Sequence, residues 1–376
     1  MVSLVKFVQT SDWQIGMKGG GLGSAADHVR KARIESLKNI FKAALEKKAD
    51  FLLVSGDVFE DNQVSRNDVN AVVSIFNEYP GIPIFLLPGN HDCLGPGCVY
   101  ERDIFSRIEH LTLLDSDAPV RIKDATLHPI PVHSIYAPSE GKRDFRCVID
   151  EPGVHIGVAH GNLKTGLAER IDFDLPIEPS CVDEAGLDYL ALGHWHSHRI
   201  FKDGEGVPRI AYSGTHERTS YGEDSAGCCL LVEIDDKGSV PIITPISTAV
   251  LSWDSVGFEL KDKASLDELE KFLDDLKDVD LLRLELKGEL DIQHREKLAN
   301  ILEYQSTFHK DLRVKDEQLH YYAPIDVDFI QDLKDPTLNQ VDNELRNQLQ
   351  NERDQRHRDV LVEALSLLHR LAMEGY

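Results

Sequence analysis

Five short clusters along the chain carry side chains that can bind metal or move protons. They are Ser11-Asp12-Trp13-Gln14, Gly56-Asp57-Val58-Phe59, Gly89-Asn90-His91-Asp92, His160-Gly161-Asn162 and Gly193-His194-Trp195-His196. Together they offer carboxylate, amide oxygen and imidazole donors and no thiolate, a set suited to Mn²⁺, Fe²⁺ or Zn²⁺. A carboxylate such as Asp57 can bridge two cations about 3.5–4 Å apart, with a water held between them as the nucleophile of a hydrolysis. Gly56, Gly89 and Gly193 let the backbone turn sharply where a Cβ would obstruct. His194 and His196 point the same way if their segment is extended, since alternate side chains share a face.

Taken singly, each cluster has a plainer reading. Gly-Asp-Val-Phe fits a strand-to-turn junction, Asp12 a helix cap and His160 a satisfied core histidine. Gly-Asn-His-Asp is sharper, because an exact match arises by chance in roughly one chain per thousand at average composition. The force lies in the ordered combination, each member directly after an apolar run.

Those runs must position the clusters. Residues 4–10, 51–54 and 82–87 read as strands and alternate with helix-spaced segments at 27–47 and 68–79, a βαβαβ rhythm. Past residue 110 the chain is strand-rich, at 120–122, 127–132, 154–160, 189–192, 209–212, 228–234 and 241–246. A sheet-on-sheet sandwich flanked by helices fits this better than one parallel sheet. In layered α/β folds the loops past the carboxyl ends of strands are where ligands gather, so five loops deliver their donors to one rim. After Trp253 a second βαβαβ unit follows, with strands at 256–260, 281–286 and 312–314 and helices at 265–276 and 292–304. The tail past Pro324 carries apolar stripes at Leu338, Val341, Leu345 and Leu349 and again at Val360, Leu361, Ala364, Leu367, Leu368 and Leu371, the mark of amphipathic helices.

Composition narrows the classes. With 41 basic and 65 acidic residues among 376, the net charge of −24 excludes a non-specific nucleic-acid coat, whose phosphate binding rests on Lys and Arg. A nucleic-acid substrate would need metal ions and a local basic strip to offset that repulsion. No run approaches the roughly 18 apolar residues of a membrane span, no secretory signal is legible, and the six cysteines form no CxxC pair. The expected setting is cytoplasmic, with reduced thiols.

The order Asp-x-(His), Gly-Asp-x-Phe, Gly-Asn-His-Asp, His-Gly and Gly-His-x-His resembles the calcineurin-like metallophosphoesterases. The resemblance narrows at Tyr212-Ser213-Gly214-Thr215-His216-Glu217-Arg218-Thr219-Ser220-Tyr221-Gly222-Glu223, which looks like the Tyr-x-Gly-Ser-x-Glu-Arg-x-x-Phe-Gly-Glu segment of SbcD-type DNA repair exonucleases. It implies a four-layer α/β metallophosphoesterase β-sandwich over residues 1–250, a smaller α+β DNA-capping domain over 251–323, and a helical tail over 324–376. By the same resemblance one metal is held by Asp12, Gln14, Asp57 and His196, and the second by Asp57, Asn90, His160 and His194. Both are divalent, with Mn²⁺ the first expectation and Mg²⁺, Fe²⁺ or Zn²⁺ the others. His91 would act catalytically on the scissile phosphate and leaving oxygen, with Asp92 either orienting His91 or capping a helix. The implied partners are DNA, an SbcC-like SMC ATPase bound through the tail, and a second copy in a homodimer.

The chain departs from that family at Gln14, where relatives carry histidine. An amide oxygen is a harder and weaker donor than imidazole. A weakened first site with retained activity, a preference for a harder ion, and a non-catalytic DNA-binding or assembly subunit all follow from it. A small-molecule phosphodiesterase using the same metals is the enzymatic alternative, favoured by the acidic composition. Gly19–Gly23, with no Gly-Lys-Ser/Thr after it, reads as a flap beside the rim and not as a nucleotide loop. Lys18, Arg30-Lys31 and Lys142-Arg143 with Arg146 are candidates for phosphate contact, with a solvated charge cluster as the plainer reading. His198 and His216 are left out of the ligand set, which is already full.

Overall fold

The computed structural model describes residues 4–133, 145–164, 176–322 and 335–374. It divides into two compact units, Met1–Leu251 and Ser252–Tyr376. In the first, β1 (Val5–Thr10), β2 (Phe51–Ser55), β3 (Ile84–Leu87) and β4 (Leu111–Leu113) run parallel in one six-stranded sheet. A second six-stranded sheet has β5 (Val120–Ile122) antiparallel to β6 (Ala125–Ile130) at one edge and then the fully buried β7 (Val154–His160). A small parallel pair, β8 (Asn162–Leu163) and β9 (Pro176–Ile177), follows. The second sheet continues through β10 (Tyr189–Gly193), with β12 (Ile210–Tyr212) beside it and β11 (Arg199–Phe201) at the other edge. The chain then returns to the first sheet, where β13 (Cys228–Ile234) pairs antiparallel with β1 and β14 (Ile242–Ser247) closes the edge.

The two sheets face one another across a core of Phe7, Leu53, Phe85, Leu127, Ile156, Val158, Tyr189 and Val232. On the other face of the first sheet lie α1 (Ala26–Glu46) and α2 (Arg66–Glu78), packed through Leu37, Ile40, Phe41, Val72 and Phe76. Outside the second sheet, α4 (Cys181–Ala185) covers Leu190, Leu192 and Tyr212; the short α3 (Asp103–Ser106) sets Phe105 into the first helical layer. This is the four-layer α/β sandwich expected from the sequence. Strand β1 shows how the layers are written: Val5 and Phe7 enter the inter-sheet core, and Val8, next along the strand, enters the helical one. The α2 start, two residues earlier than the apolar pattern suggests, is set by Ser65, whose hydroxyl accepts the Asp68 N–H.

One buried polar residue joins the sheets close to their functional end. Gln9 in β1 donates its amide to the carbonyls of Leu192 (3.1 Å) and Ala211 (3.0 Å) and accepts the Tyr189 hydroxyl (2.5 Å). Its bonding capacity is met, so its burial is tolerated, and it ties β1 to the strand that ends in Gly193.

The second unit holds a parallel three-stranded sheet, β15 (Trp253–Leu260), β16 (Leu281–Asp291) and β17 (Asp311–Tyr322). Helices α5 (Lys263–Asp274) and α6 (Arg295–Ser306) pack on it through Leu266, Leu269, Leu273, Leu298 and Ile301. β16 and β17 run well past their apolar stretches because Glu285, Lys287 and Glu289 alternate outward while Leu286 and Leu290 point in. The tail forms α7 (Pro336–Asn351) and α8 (Gln355–Glu374), and α8 packs on both α7 and β17. The buried face of α8 runs through Leu365, off the stripe read from the sequence, and Val360 and Leu367 of that stripe are exposed. Among the described residues no helix is long and apolar enough to cross a membrane.

A buried histidine pair makes the first unit sensitive to acid. His155 Nε2 faces the Glu151 carbonyl (3.3 Å), which can only accept, so Nδ1 is the acceptor for His128 Nε2–H at 3.0 Å. Burial and the neighbouring His155 push His128 down to about 4, whereas an unfolded histidine titrates near 6.5. The unfolded chain therefore binds the proton more tightly, and stability falls as pH drops from about 6.5 toward 4. We expect urea unfolding to lose on the order of 1–3 kcal/mol over that window through this group, and His128→Leu to flatten the slope. An unchanged slope would contradict the assignment.

Candidate metal centre

Strand order brings the five clusters together. β1, β2 and β3 are consecutive parallel strands, so the loops after Thr10, Ser55 and Leu87 leave the first sheet side by side. β7 and β10 are parallel neighbours, with Gly193 opposite His160. The loops themselves are stitched by backbone bonds: the Asp12 N–H to the Gly56 carbonyl (3.0 Å), Gln14 to Asp57 (2.9 Å) and Ile15 to Val58 (2.9 Å).

At the centre, oxygen and nitrogen atoms of Asp12, Asp57 and His160 all lie within 4.8 Å of one another, and all three residues are buried. Asp57 Oδ2 is 3.2 Å from His160 Nε2, and Oδ1 accepts the His91 N–H (2.9 Å). Asn90 joins through Oδ1, 2.8 Å from His160 Nε2 and 3.4 Å from His194 Nδ1. His194 also donates its backbone N–H to both carboxylate oxygens of Asp12 (3.1 Å each), and Asp12 Oδ2 accepts the Ser11 hydroxyl (2.5 Å). His196 stands outside this close group; its Nδ1 meets Glu223 Oε1 at 2.8 Å, so Nε2 is the nitrogen available to a ligand. Gln14 is nearly buried and enters through its backbone. The structure thus gathers Asp12, Asp57, Asn90, His160 and His194 directly and Gln14 by its peptide bond to Asp57, while His196 is held by Glu223 beside them without joining their contacts.

The donor set fits divalent cations. His160 Nδ1 faces the Ser55 carbonyl at 2.9 Å and must carry the hydrogen there. In the neutral ring, Nε2 would then turn a lone pair on two oxygens, Asn90 Oδ1 and Asp57 Oδ2. A second proton or a cation resolves that conflict. Without metal the proton does so. Burial pulls the His160 pKa down, but the charge and hydrogen bond of Asp57, with Asp12 behind it, raise it to about 10. Burial pushes Asp57 the other way, and His160 and His91 hold it below the ordinary carboxylate range. A cation ligated at Nε2 would replace that proton between the same groups.

Backbone strain concentrates here. Asp12, Gln14, Asp57 and His194 are four of the six non-glycine residues with positive φ among those described, at 54°, 41°, 55° and 112°. Such conformations cost about 1–3 kcal/mol each and persist where the surroundings over-determine them. Of the three glycines, only Gly56 adopts a left-handed φ (+99°); a Cβ on Gly89 would fall 2.1 Å from Asp57 Oδ1, so Gly89 is needed for close approach and not for turning.

Asp92 has a different place from the one expected. Its Oδ1 accepts the Gly89 N–H (2.7 Å), and its Oδ2 accepts Val58 N–H (2.8 Å), Phe59 N–H (3.1 Å) and the Tyr100 hydroxyl (2.5 Å). It neither orients His91 nor caps a helix; it clamps the loop of Asp57 to the loop of Asn90. Burial and the charge of Asp57 raise its pKa to about 6 against those donors. His91 is exposed at the rim, with Nδ1 against the Glu60 carbonyl at 2.8 Å, so a backbone group does the orienting assigned to Asp92.

Arg33 was not singled out in the sequence. Fully buried, it donates to the carbonyls of Asp12 (2.9 Å), Trp13 and Glu217 and to the Thr215 hydroxyl (3.1 Å), holding the first metal loop from behind. Its signal was available: an arginine four residues from Val29 and from Leu37, on the apolar face of α1. His216 donates through Nε2 to the Arg33 carbonyl (2.8 Å), and His198 Nδ1 lies 2.6 Å from the Ser225 carbonyl. Of the basic candidates, Arg30 bonds the Lys18 carbonyl and Asp27, Arg146 pairs with Glu151, and Lys142 and Arg143 lie outside the described residues. The expected flap holds a 3₁₀ turn, Gly23–Ala25, beside the buried Leu22.

A family model described as calcineurin-like phosphoesterase matches residues 5–198, slightly more than half the chain and all five clusters. The chain is similar to an uncharacterised metallophosphoesterase, YhaO of Bacillus subtilis, 24% identical over 231 residues, or 57% of this chain and 53% of the relative. It is also similar to the DNA double-strand break repair protein Mre11 of Sulfurisphaera tokodaii, 22% identical over 262 residues, or 66% and 64% of the two chains. It therefore spans only 53% and 64% of the lengths of these relatives. Among solved structures it is similar to a purple acid phosphatase from yellow lupin seeds, with TM-score 0.41, 11% identity and 66% and 52% of the two chains covered.

The clamp and the rim histidine separate under mutation. Asp92→Ala, which strands four donors, is expected to lower the unfolding free energy in urea by about 3 kcal/mol. His91→Ala at the exposed rim should change it by less than about 0.5 kcal/mol. Equal effects would return Asp92 to the role first expected of it.

Proposed function

The chain belongs to the calcineurin-like phosphoesterase family, and on that footing we propose that it is a two-metal-dependent phosphodiesterase whose substrate is DNA, an exo- and endonuclease of the SbcD and Mre11 kind. The observation that carries the hydrolytic reading is the convergence of Asp12, Asp57, Asn90, His160 and His194 on one small volume. What supports DNA as substrate is the similarity to Mre11, together with the resemblance of residues 212–223 to the SbcD-type segment.

On this reading Asp12, Gln14, Asp57 and His196 hold one divalent ion, and Asp57, Asn90, His160 and His194 hold the other. Manganese is the first choice for both. When bound, the ions supply Lewis-acid polarisation of the phosphoryl oxygens and activation of a water at neutral pH. The chain supplies the rest. Asp57 sits between the two ligand sets, its backbone held by Gln14 and its carboxylate by the His91 N–H. His91, with Nδ1 tied to the Glu60 carbonyl, presents Nε2 at the rim, where it can donate to the scissile phosphate and the departing oxygen. The amide of Gln14 weakens the first ion's site without removing it, so activity is retained.

The same reading extends to assembly. An SMC-type ATPase would dock on the tail, where Val341, Val360 and Leu367 are exposed, and two copies of the chain would act together. The net charge of −24 favours a second reading, a phosphodiesterase for small esters, because it opposes DNA everywhere except at the ions.

Cleavage of labelled DNA assayed beside bis-p-nitrophenyl phosphate in Mn²⁺ separates the two. The nuclease reading expects both to be hydrolysed; turnover of the small ester with DNA left intact, even with the ATPase added, would reject it. His91→Ala should keep the metal content of the wild type and lose about 100-fold or more in cleavage. Cleavage at the wild-type rate would remove His91 from the chemistry.

A further inference from the structure

Residues 212–223 belong to none of the five clusters, yet they reach three of them. The Tyr212 hydroxyl donates to the Gly161 carbonyl (2.7 Å) and accepts the Leu163 N–H (2.8 Å), fixing the loop after His160. The Ser213 hydroxyl lies 2.8 Å from that of Ser11, the donor to Asp12. At the far end of the segment, Glu223 faces His196. The segment thus ends in a carboxylate aimed at an imidazole that the metal reading needs.

That carboxylate is itself fixed in place. Glu223 Oε2 accepts the N–H groups of Thr219 (2.7 Å) and Ser220 (3.3 Å), and Oε1 accepts the Thr219 hydroxyl (2.5 Å) while facing His196 Nδ1 at 2.8 Å. Its side chain is only 13% exposed. A carboxylate on Nδ1 determines which ring nitrogen carries hydrogen, sets the ring plane and raises the donor strength of Nε2. The two ligand sets differ at this point. His160 is oriented by a neutral carbonyl, that of Ser55, whereas His196 is oriented by a full negative charge. On the two-ion reading, the charged orienter serves the ion to which Gln14 offers an amide oxygen in place of an imidazole.

We propose that Glu223 is the positioning residue of the first metal ion: it holds His196 with Nε2 directed to that ion and strengthens this nitrogen where Gln14 is a weak ligand. The inference rests on the two-ion reading above. Glu223 touches neither substrate nor ion, and acts through His196.

The test is calorimetric titration of the metal-stripped full chain with Mn²⁺, with the melting temperature of the stripped chain and the visible spectrum of the Co²⁺ form recorded beside it. Wild type should bind two ions. Glu223→Ala should weaken one of them by about 10- to 100-fold and leave the other within about 2-fold, with one component of the Co²⁺ spectrum lost. Glu223→Gln retains an acceptor for Nδ1–H without the charge and should fall between the two; should the alanine variant not fold, this one carries the test. Two unchanged affinities would overturn the proposal. So would a parallel loss at both sites with a lowered melting temperature, which would mean that Glu223 only closes its own loop. A wild-type chain that takes up no Mn²⁺ would overturn the two-ion reading itself, and this role with it.

Discussion

Two buried carboxylates, Asp12 and Asp57, approach the same small volume, and the organisation around them answers that problem. Uncompensated, two charges in such a setting would be strongly unfavourable. His160 provides one answer from within the chain, as an imidazolium against Asp57. On the two-ion reading, divalent cations provide the other, and the protonated ring is the stand-in that keeps the site assembled before they arrive. The positive φ values of Asp12, Gln14, Asp57 and His194 fit this view. Strain is stored where the ligands sit, and the sheets, the Asp92 clamp and Arg33 hold it there.

The supports are graded by distance from that pair. Closest are the backbone bonds that stitch the Asp12 loop to the Asp57 loop. Behind them, Asp92 joins the second and third loops, and Arg33 gathers carbonyls from the first loop and from Glu217. Further back, Gln9 bridges the sheets, so the loops of β1 and β10 meet at a set separation. Each is a polar group buried with its partners satisfied, and none is interchangeable with an apolar residue of similar size.

What could be read from the sequence follows from which interactions leave a local trace. The strands ending at Thr10, Ser55, Leu87, His160 and Gly193 are runs of apolar residues, legible as such, and the clusters follow them directly. A sheet-on-sheet sandwich flanked by helices was legible from those runs and the helix-spaced segments between them, and its four layers from the family resemblance. The partners of Asp92 were not: its donors come from Val58, Phe59, Gly89 and Tyr100, and nothing in the spacing of those residues announces that they meet. The sequence gives Glu223 no visible role, because its partner His196 is 27 residues away. Gly89 was read as a turning residue, though what matters is the Asp57 carboxylate standing where a Cβ would be. In the second unit, β16 and β17 were read short because their outward faces are charged, and the α8 stripe took in the exposed Val360 and Leu367 while leaving out the buried Leu365.

The most direct measurement is anomalous diffraction from crystals of the full chain soaked in Mn²⁺. The account expects two anomalous peaks separated by about 3.5–4 Å, with Asp57 between them, Asn90, His160 and His194 around one, and Asp12 and His196 around the other. Peaks away from Asp57, or no peak in this volume at saturating Mn²⁺, would contradict it.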